Sequence, residues 1–398
     1  MASNHRQAVI VSYARTPIGR MGGALSSKKG SELGAVAVRA AVERAGLTPE
    51  QVEEVILGNV VSAGMGQAPA RQAAIWGGLP ESVCCTTINK VCASGMKSVA
   101  MAAQQIMLGS RDVVVCGGME SMSNIPYYSM TARGGARFGH AQMLDGIIHD
   151  GLWDVYNNQH MGMCAELCAD KFGISREAQD AYALSSYERA TAAMAAGIFA
   201  PEIVGVEVGG GRGKPTTLVT EDEEPGALKL DKLPGLRPAF KKDGTVTAAN
   251  ASSINDGAAA FVVMSADKAA ELDLKPLARI AGFADAEQAP VEFTTTPSLA
   301  VPRALAHAGM AAGDAQRHEI NEAFSVVALA NMELMNLQHD QVNVFGGAVA
   351  LGHPIGMSGA RIVGNLINSL AHGDKEVGVA SICNGGGGAS AMVLERLS

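Results

Sequence analysis

Two stretches, Ser94–Gly118 (SGMKSVAMAAQQIMLGSRDVVVCGG) and Ser358–Gly386 (SGARIVGNLINSLAHGDKEVGVASICNGG), read alike. Each opens on Ser-Gly and continues through a helix-length segment to about Leu108 or Leu370. Each then enters an apolar, strand-like run, Val113–Cys116 before Gly117-Gly118, or Val377–Ile382 before Cys383-Asn384-Gly385-Gly386. A second pair lies upstream: Ala41–Leu47 leading to Gly58-Asn59, and Ala304–Met310 leading to Asn321. Both offsets are roughly 265 residues, and a fixed offset is the signature of an internal repeat. Chance likeness between Ala/Gly-rich segments is the competing reading. Strands alternating with helices predict α/β halves with parallel or mixed sheets, packed about a pseudo-two-fold axis. Between the halves, about Ser123 to Ala248 has few strand runs, an acidic cluster at Glu221–Glu224 and Pro/Gly punctuation near Lys214-Pro215 and Leu233-Pro234-Gly235. It reads as an inserted loop subdomain, a common place for a lid.

The bulk numbers agree with several packed units. At 398 residues the chain is too long for one ordinary core, and 47% hydrophobic with 18% charged residues is a globular balance. A net charge of −8 without a basic helix or tail argues against nucleic acid as a partner. No apolar run reaches about 18 residues, so no membrane span is expected. MASNHRQAVIVSYARTP passes straight into a strand-like segment with no signal-peptide pattern. The seven cysteines, at 84, 85, 92, 116, 164, 168 and 383, are odd in number and fit neither a disulfide framework nor a C-x-x-C zinc site. A reducing compartment follows, cytoplasm or mitochondrial matrix.

Four places could carry chemistry. In INKVCASGMK (88–97), Cys92 stands where a strand stops and a helix begins. One reading is a small buried hydrophobe. The other is a nucleophile whose thiolate is favoured by unpaired N–H groups and the helix dipole. His353, in Gly352-His353-Pro354 just before a helix, suits a base beside a thiol. The four glycines after Cys383 leave backbone N–H groups free for an anion. An oxyanion hole fits better than a phosphate loop, because the similar run Gly209–Thr216 has Pro215 after Lys214. Asn321, in HEINEAFS (318–325), could be no more than a helix N-cap.

Taken together these motifs resemble the thiolases, and among them the acetoacetyl-CoA thiolases. The stretches that carry the likeness are Asn89–Gly95, Gly117–Ser123, Gly244–Ser252, Asn321–Phe324, Gly352–Pro354 and Cys383–Gly387, spread over essentially the whole chain. The resemblance implies a layered α-β-α-β-α core. Residues 1–122 would form the N-terminal half, with 249–271 returning to it. Residues 123–248 would be a loop domain for coenzyme A binding and oligomerisation, and 272–398 the C-terminal half. It implies reversible Claisen condensation of two acetyl-CoA to acetoacetyl-CoA and CoA through an acyl-enzyme. Cys92 would take the acyl group, His353 would activate it, and Cys383 would be the acid/base. His353 with an Asn321-held water would face one thioester oxygen, and the N–H groups of Cys92 and Gly385 the other. His160, Met161, Lys232, Phe240, Ala248, Ser252, Phe293, Ala323 and Phe324 would line the coenzyme A path. Phe240 and Phe324 read equally as core from the residues alone.

The likeness is strongest to the mitochondrial, potassium-activated type, which points to a potassium site at Tyr187, Ala248, Ala249, Ala251 and Val349. No other cofactor is required, coenzyme A being substrate, and a homotetramer built as a dimer of dimers is expected. Some relatives carry arginine where this chain has Pro225, and Lys229 or Lys232 is the substitute considered for the 3′-phosphate. Phe345 replaces a common asparagine. Phe293 matches a residue linked to 2-methylacetoacetyl-CoA, though Thr294–Thr296 after it differ. A degradative thiolase of broader chain length shares the four catalytic residues and is the main alternative. A ketoacyl synthase is disfavoured by Cys383-Asn384-Gly385, and a coenzyme A-binding scaffold would leave every motif without a role.

Overall fold

A computed structural model describes residues 6–209, 215–226 and 230–398. The N-terminal part contributes β1 (Ala8–Arg15), α1 (Gly30–Arg44), β2 (Glu54–Gly58), α2 (Pro69–Trp76), β3 (Cys84–Ile88), α3 (Ser94–Met107) and β4 (Val113–Ser121). The inserted region carries α4 (Met161–Phe172), α5 (Arg176–Ala195) and short two-stranded ribbons. The rest supplies β5 (Asn255–Ser265), β6 (Ala278–Glu287), α6 (Pro297–Ala308), β7 (Arg317–Ile320), α7 (Ser325–Met335), α8 (Ser358–His372), β8 (Val377–Asn384) and β9 (Gly388–Arg396).

The halves repeat one topology. The first runs β1-β5-β4-β2-β3 and the second β6-β9-β8-β7, with antiparallel and parallel pairings at matching places. A lone parallel bridge between His318 and Val342 continues the second sheet beyond β7, where β3 continues the first. The two sheets join through only two residue pairs, Val9 with Arg279 and Ile10 with Ala278. Strand β5, late in sequence, lies between β1 and β4 of the first sheet.

Helix packing completes the layers. α1 and α2 cover the outer face of the first sheet, and α6 that of the second. α3 and α8 lie between the sheets, each touching strands of both and each other. The spacing of Met96, Val99, Ala103 and Ile106 puts these side chains in one core cluster with Ile362, Val363 and Leu366 of α8. Two glycines let the helix starts meet. A Cβ on Gly95 would stand 2.7 Å from the Ala360 nitrogen, and one on Gly359 2.5 Å from the Met96 nitrogen. This mutual contact sets the loops before α3 and α8 side by side.

The insertion is pinned to the core by charge. The buried Arg15 of β1 donates to Asp222 Oδ1 and Oδ2 at 2.7 and 2.9 Å and also pairs with Glu202. Removing either carboxylate would leave a buried cation short of partners, which is costly.

Candidate active site

The turn before α3 is strained. Val91 is β-branched yet has φ +47°, in the left-handed region. Ser94, the first residue of α3, holds the turn: its Oγ accepts from the Lys90 N–H at 2.8 Å and donates to the Val91 carbonyl at 2.6 Å. The half-buried Cys92 next to Val91 lines the central pocket. Its sulfur receives the N–H groups of Gly385 and of Cys92 itself. Burial outweighs both donors and pushes the thiol up to about 11. Desolvation thus opposes the thiolate that the helix start and these two donors favour.

The equivalent loop before α8 carries His353. Gly352 takes φ +98°, and a Cβ there would strike the Asn255 side chain at 2.5 Å. Asn255 Oδ1 accepts the His353 N–H at 2.9 Å. The ring Nδ1 lies 2.6 Å from Ser358 Oγ, while Nε2 is buried without a partner among the described residues. Burial, seconded by the Arg361 charge, holds the imidazole down to about 3, so it rests neutral.

Cys383 is the penultimate residue of β8 and is fully buried. Burial first, then the nearby Cys92 sulfur, hold its thiol well above the usual range. Asn321 follows β7, and both polar atoms of its buried amide lack a protein partner. It caps no helix, since α7 starts at Ser325 after Phe324. Its neighbour Glu322 fixes the loop instead, accepting from Tyr182 Oη (2.9 Å), Ser186 Oγ (2.7 Å), Asn343 Nδ2 (2.8 Å) and the Val349 N–H (3.1 Å).

Cys92, His353 and Gly385 share a pocket of about 240 Å³ with His160, Met161, Phe240, Ser252, Phe293, Ala323 and Phe324. Phe240 serves both readings, as core and as lining. It stacks on His160 at 4.8 Å between ring centres and meets Phe324 edge-on at 6.1 Å. Ser252 is tied to the neighbouring loop through its Oγ, which donates to the Ala323 carbonyl at 2.9 Å. Cys383 belongs to the cluster of buried residues that includes Met161, Phe293 and Phe324.

Other expected residues fall elsewhere. Ala248 and Lys232 are not on this lining, and Lys232 is exposed in the segment Leu230–Gly235. Lys229 lies outside the described residues. Pro225 lines a separate cavity with Phe199 and Asp222, so its identity bears on that wall. Phe345 packs edge-on to His372 at 5.7 Å, at the far end of α8 from His353. For the expected potassium site, Tyr187 and Val349 share a core cluster, and α5 packs on the short helix Ala348–Leu351. Burial first, then the carboxylates of Glu224 and Glu322, push the Tyr187 phenol up. Among the described residues no cluster of three His, Cys, Asp or Glu could hold a metal.

Sequence reasoning missed Met122, Leu152, Ile254 and Ile355 on the lining, because apolar residues carry no spacing signal of chemistry. It gave no role to Glu120, in the quoted run Gly117–Ser123. Glu120 accepts from Asn59 Nδ2 and the Val60 N–H, both at 2.9 Å, and from the Gly356 N–H, tying the first half to the His353 loop. Burial raises its carboxyl to about 7.

Known proteins match this architecture over its whole length. Residues 8–267 match the thiolase N-terminal domain, and residues 274–396 the thiolase C-terminal domain. A cytosolic acetyl-CoA acetyltransferase of Gibberella zeae is 56% identical over 98% of this chain and 98% of its own. A mitochondrial acetyl-CoA acetyltransferase of Mus musculus is 53% identical over 98% of this chain and 91% of its own. The Acat5 thiolase of Ascaris suum, solved in complex with coenzyme A, superposes with a TM-score of 0.93 at 46% identity, covering 98% of this chain and 100% of that one. With both domains matched in order, and the cysteine and histidine loops meeting where those domains pack together, the chain belongs to the thiolase family.

Proposed function

We propose that this chain is an acetyl-CoA C-acetyltransferase, condensing two acetyl-CoA to acetoacetyl-CoA and CoA and catalysing the reverse thiolysis. One observation carries the reading: two neighbouring thiols in unlike settings, Cys92 under the N–H groups of Gly385 and Cys92, and Cys383 buried beside it. Relatives named for this activity match nearly end to end, and the Ascaris neighbour binds coenzyme A.

The chemistry follows from these settings. His353 Nε2 takes and keeps the Cys92 proton as the sulfur attacks the acetyl carbonyl, while Cys383 gives its own proton to the departing CoA sulfur and is left as a thiolate. The two N–H groups that meet the resting sulfur are placed for the oxygen of the acyl-enzyme. Preorganised donors of this kind are worth about 3–4 kcal/mol each in the barrier. Cys383, left as the thiolate once CoA has departed with its proton, is the base that takes a methyl proton from the second acetyl-CoA. The enolate attacks the Cys92-bound carbonyl, the carbon–sulfur bond to Cys92 breaks, and the departing sulfur takes its proton back from His353. Asn321, whose amide has no protein partner, suits a water that faces the enolate oxygen together with His353.

Phe293 and Met161 on the lining favour short acyl groups. Tyr187 with the carbonyls of Ala248, Ala249, Ala251 and Val349 would hold potassium, supplying a fixed positive charge that steadies the pocket loops. One assay tests substrate and ion together: thiolysis of acetoacetyl-CoA, 2-methylacetoacetyl-CoA and a long-chain 3-ketoacyl-CoA, with and without potassium. Acetoacetyl-CoA turns over fastest, and potassium raises the rate. A faster long chain would mark the broader degradative enzyme, and equal rates in sodium would remove the ion site.

A dimer of dimers is the accompanying proposal. Tyr127, Met130, Phe138 and Met143 form an exposed apolar run in the insertion, a surface that assembly would cover. Sedimentation velocity reads a tetramer; a monomer at working concentration would contradict it.

A further inference from the structure

The repeated Ser-Gly pair that reveals the duplication has no role in the chemistry above. Ser94 and Ser358 occupy the same place, the first residue of each central helix. Ser94 accepts a hydrogen bond from one side of its turn and donates to a carbonyl on the other. Ser358 stands between a ring nitrogen and a carbonyl: His353 Nδ1 at 2.6 Å and Pro354 O at 2.9 Å. All three residues are buried.

A hydroxyl has one proton, so two arrangements compete. In one, Nδ1–H donates to Ser358 and the hydroxyl donates to the Pro354 carbonyl. That makes two hydrogen bonds and leaves Nε2 as an unpaired acceptor. In the other, the hydroxyl donates to Nδ1 and the ring proton sits on Nε2. That makes one bond and leaves a buried N–H with no acceptor, since Nε2 has no protein partner. Orphaned buried N–H groups are rarer than unpaired acceptors, and a lost hydrogen bond adds to the cost. The first arrangement also repeats what Ser94 does in the other half. Asn255 fixes the same residue from the main chain, through the His353 N–H at 2.9 Å.

We propose that Ser358 is a positioning residue that holds His353 as the Nδ1–H tautomer, so that Nε2 is the atom that takes the Cys92 proton. This rests on the reading of His353 as the base of the acetyltransferase. Without Ser358, the ring loses its preferred tautomer and its orientation, while the coenzyme A walls are untouched.

The test joins a spectroscopic readout to kinetics. In protein labelled with ¹⁵N-histidine, the His353 ring, assigned by its absence in His353→Asn, shows a protonated Nδ1 and an unprotonated Nε2. Ser358→Ala lowers kcat for acetoacetyl-CoA thiolysis about ten- to hundredfold, with KM within about twofold, the size of loss seen when the outer partner of a functional histidine is removed. Ser358→Thr, which keeps the hydroxyl, recovers most of that loss. A wild-type spectrum with the proton on Nε2 overturns the proposal whatever the activity. Ser358→Ala with full kcat, or Ser358→Thr no better than Ser358→Ala, overturns it as well. A wild type without thiolysis would instead overturn the functional reading, and the tautomer measurement would stand on its own.

Discussion

Cys383→Ala loses carbon–carbon bond formation, a fall of about 10²–10⁴-fold in condensation rate, while Cys92 still takes acetyl from acetyl-CoA. The two thiols cannot replace one another. During condensation the Cys92 sulfur is tied to the acyl group, so the proton of the second acetyl-CoA must go elsewhere. The fully buried Cys383 beside it is the group in place. Alanine at 383 removes only a sulfur from the buried cluster behind the pocket and leaves the N–H groups of Cys92 and Gly385 where they are. Mass spectrometry of the variant after mixing with acetyl-CoA finds acetyl on Cys92, and a coupled condensation assay finds almost no acetoacetyl-CoA. Condensation at more than about a tenth of the wild-type rate would assign the proton transfer to another group. Acetyl on neither cysteine would show that the substitution damages the site as a whole.

Gly95→Val produces the largest loss of stability. The added atoms fall on backbone, 2.7 Å from the Ala360 nitrogen, and no flexible side chain stands there to give way. Overpacking a core commonly costs about 1–3 kcal/mol and sometimes more, and a clash with main chain belongs at the upper end. The expected fall is about 3 kcal/mol in the unfolding free energy, read by denaturant titration. Activity falls with it, because α3 must move away from α8 and carry Cys92 from His353. A valine variant with the wild-type denaturation midpoint and rate would show that the helix starts do not need this contact.

Much of this was legible in the chain, for reasons that differ by element. The duplication showed because α3 with β4, and α8 with β8, are continuous in sequence and keep the same spacing, Ser94 to Val113 and Ser358 to Val377. The counterpart of β3 did not show, since in the second half it has shrunk to one bridge at Val342. Cys92, His353, Asn321 and Gly385 stood out because glycines and polar residues cluster around them. Their desolvation did not, because burial is a property of the assembled layers. The helix start favours a thiolate, and desolvation opposes it. Likewise Asn321 looks like a cap until the four donors on Glu322 show which residue shapes the loop. Ala248 and Lys232 stand off the lining of the cavity that holds Cys92 and His353, since a likeness along the chain does not report which side of a loop faces a cavity.

The matched halves also fix a stoichiometry. Position for position, Cys92 of the first half answers to Gly356 of the second, and Cys383, the seventh residue of β8, to Met119, the seventh of β4. Met119 is buried and packs against Gly34 under α1, spent on filling space. Symmetry therefore offers the molecule two reaction centres and composition grants it one. A full titration should load a single acetyl group on each chain, however many chains assemble.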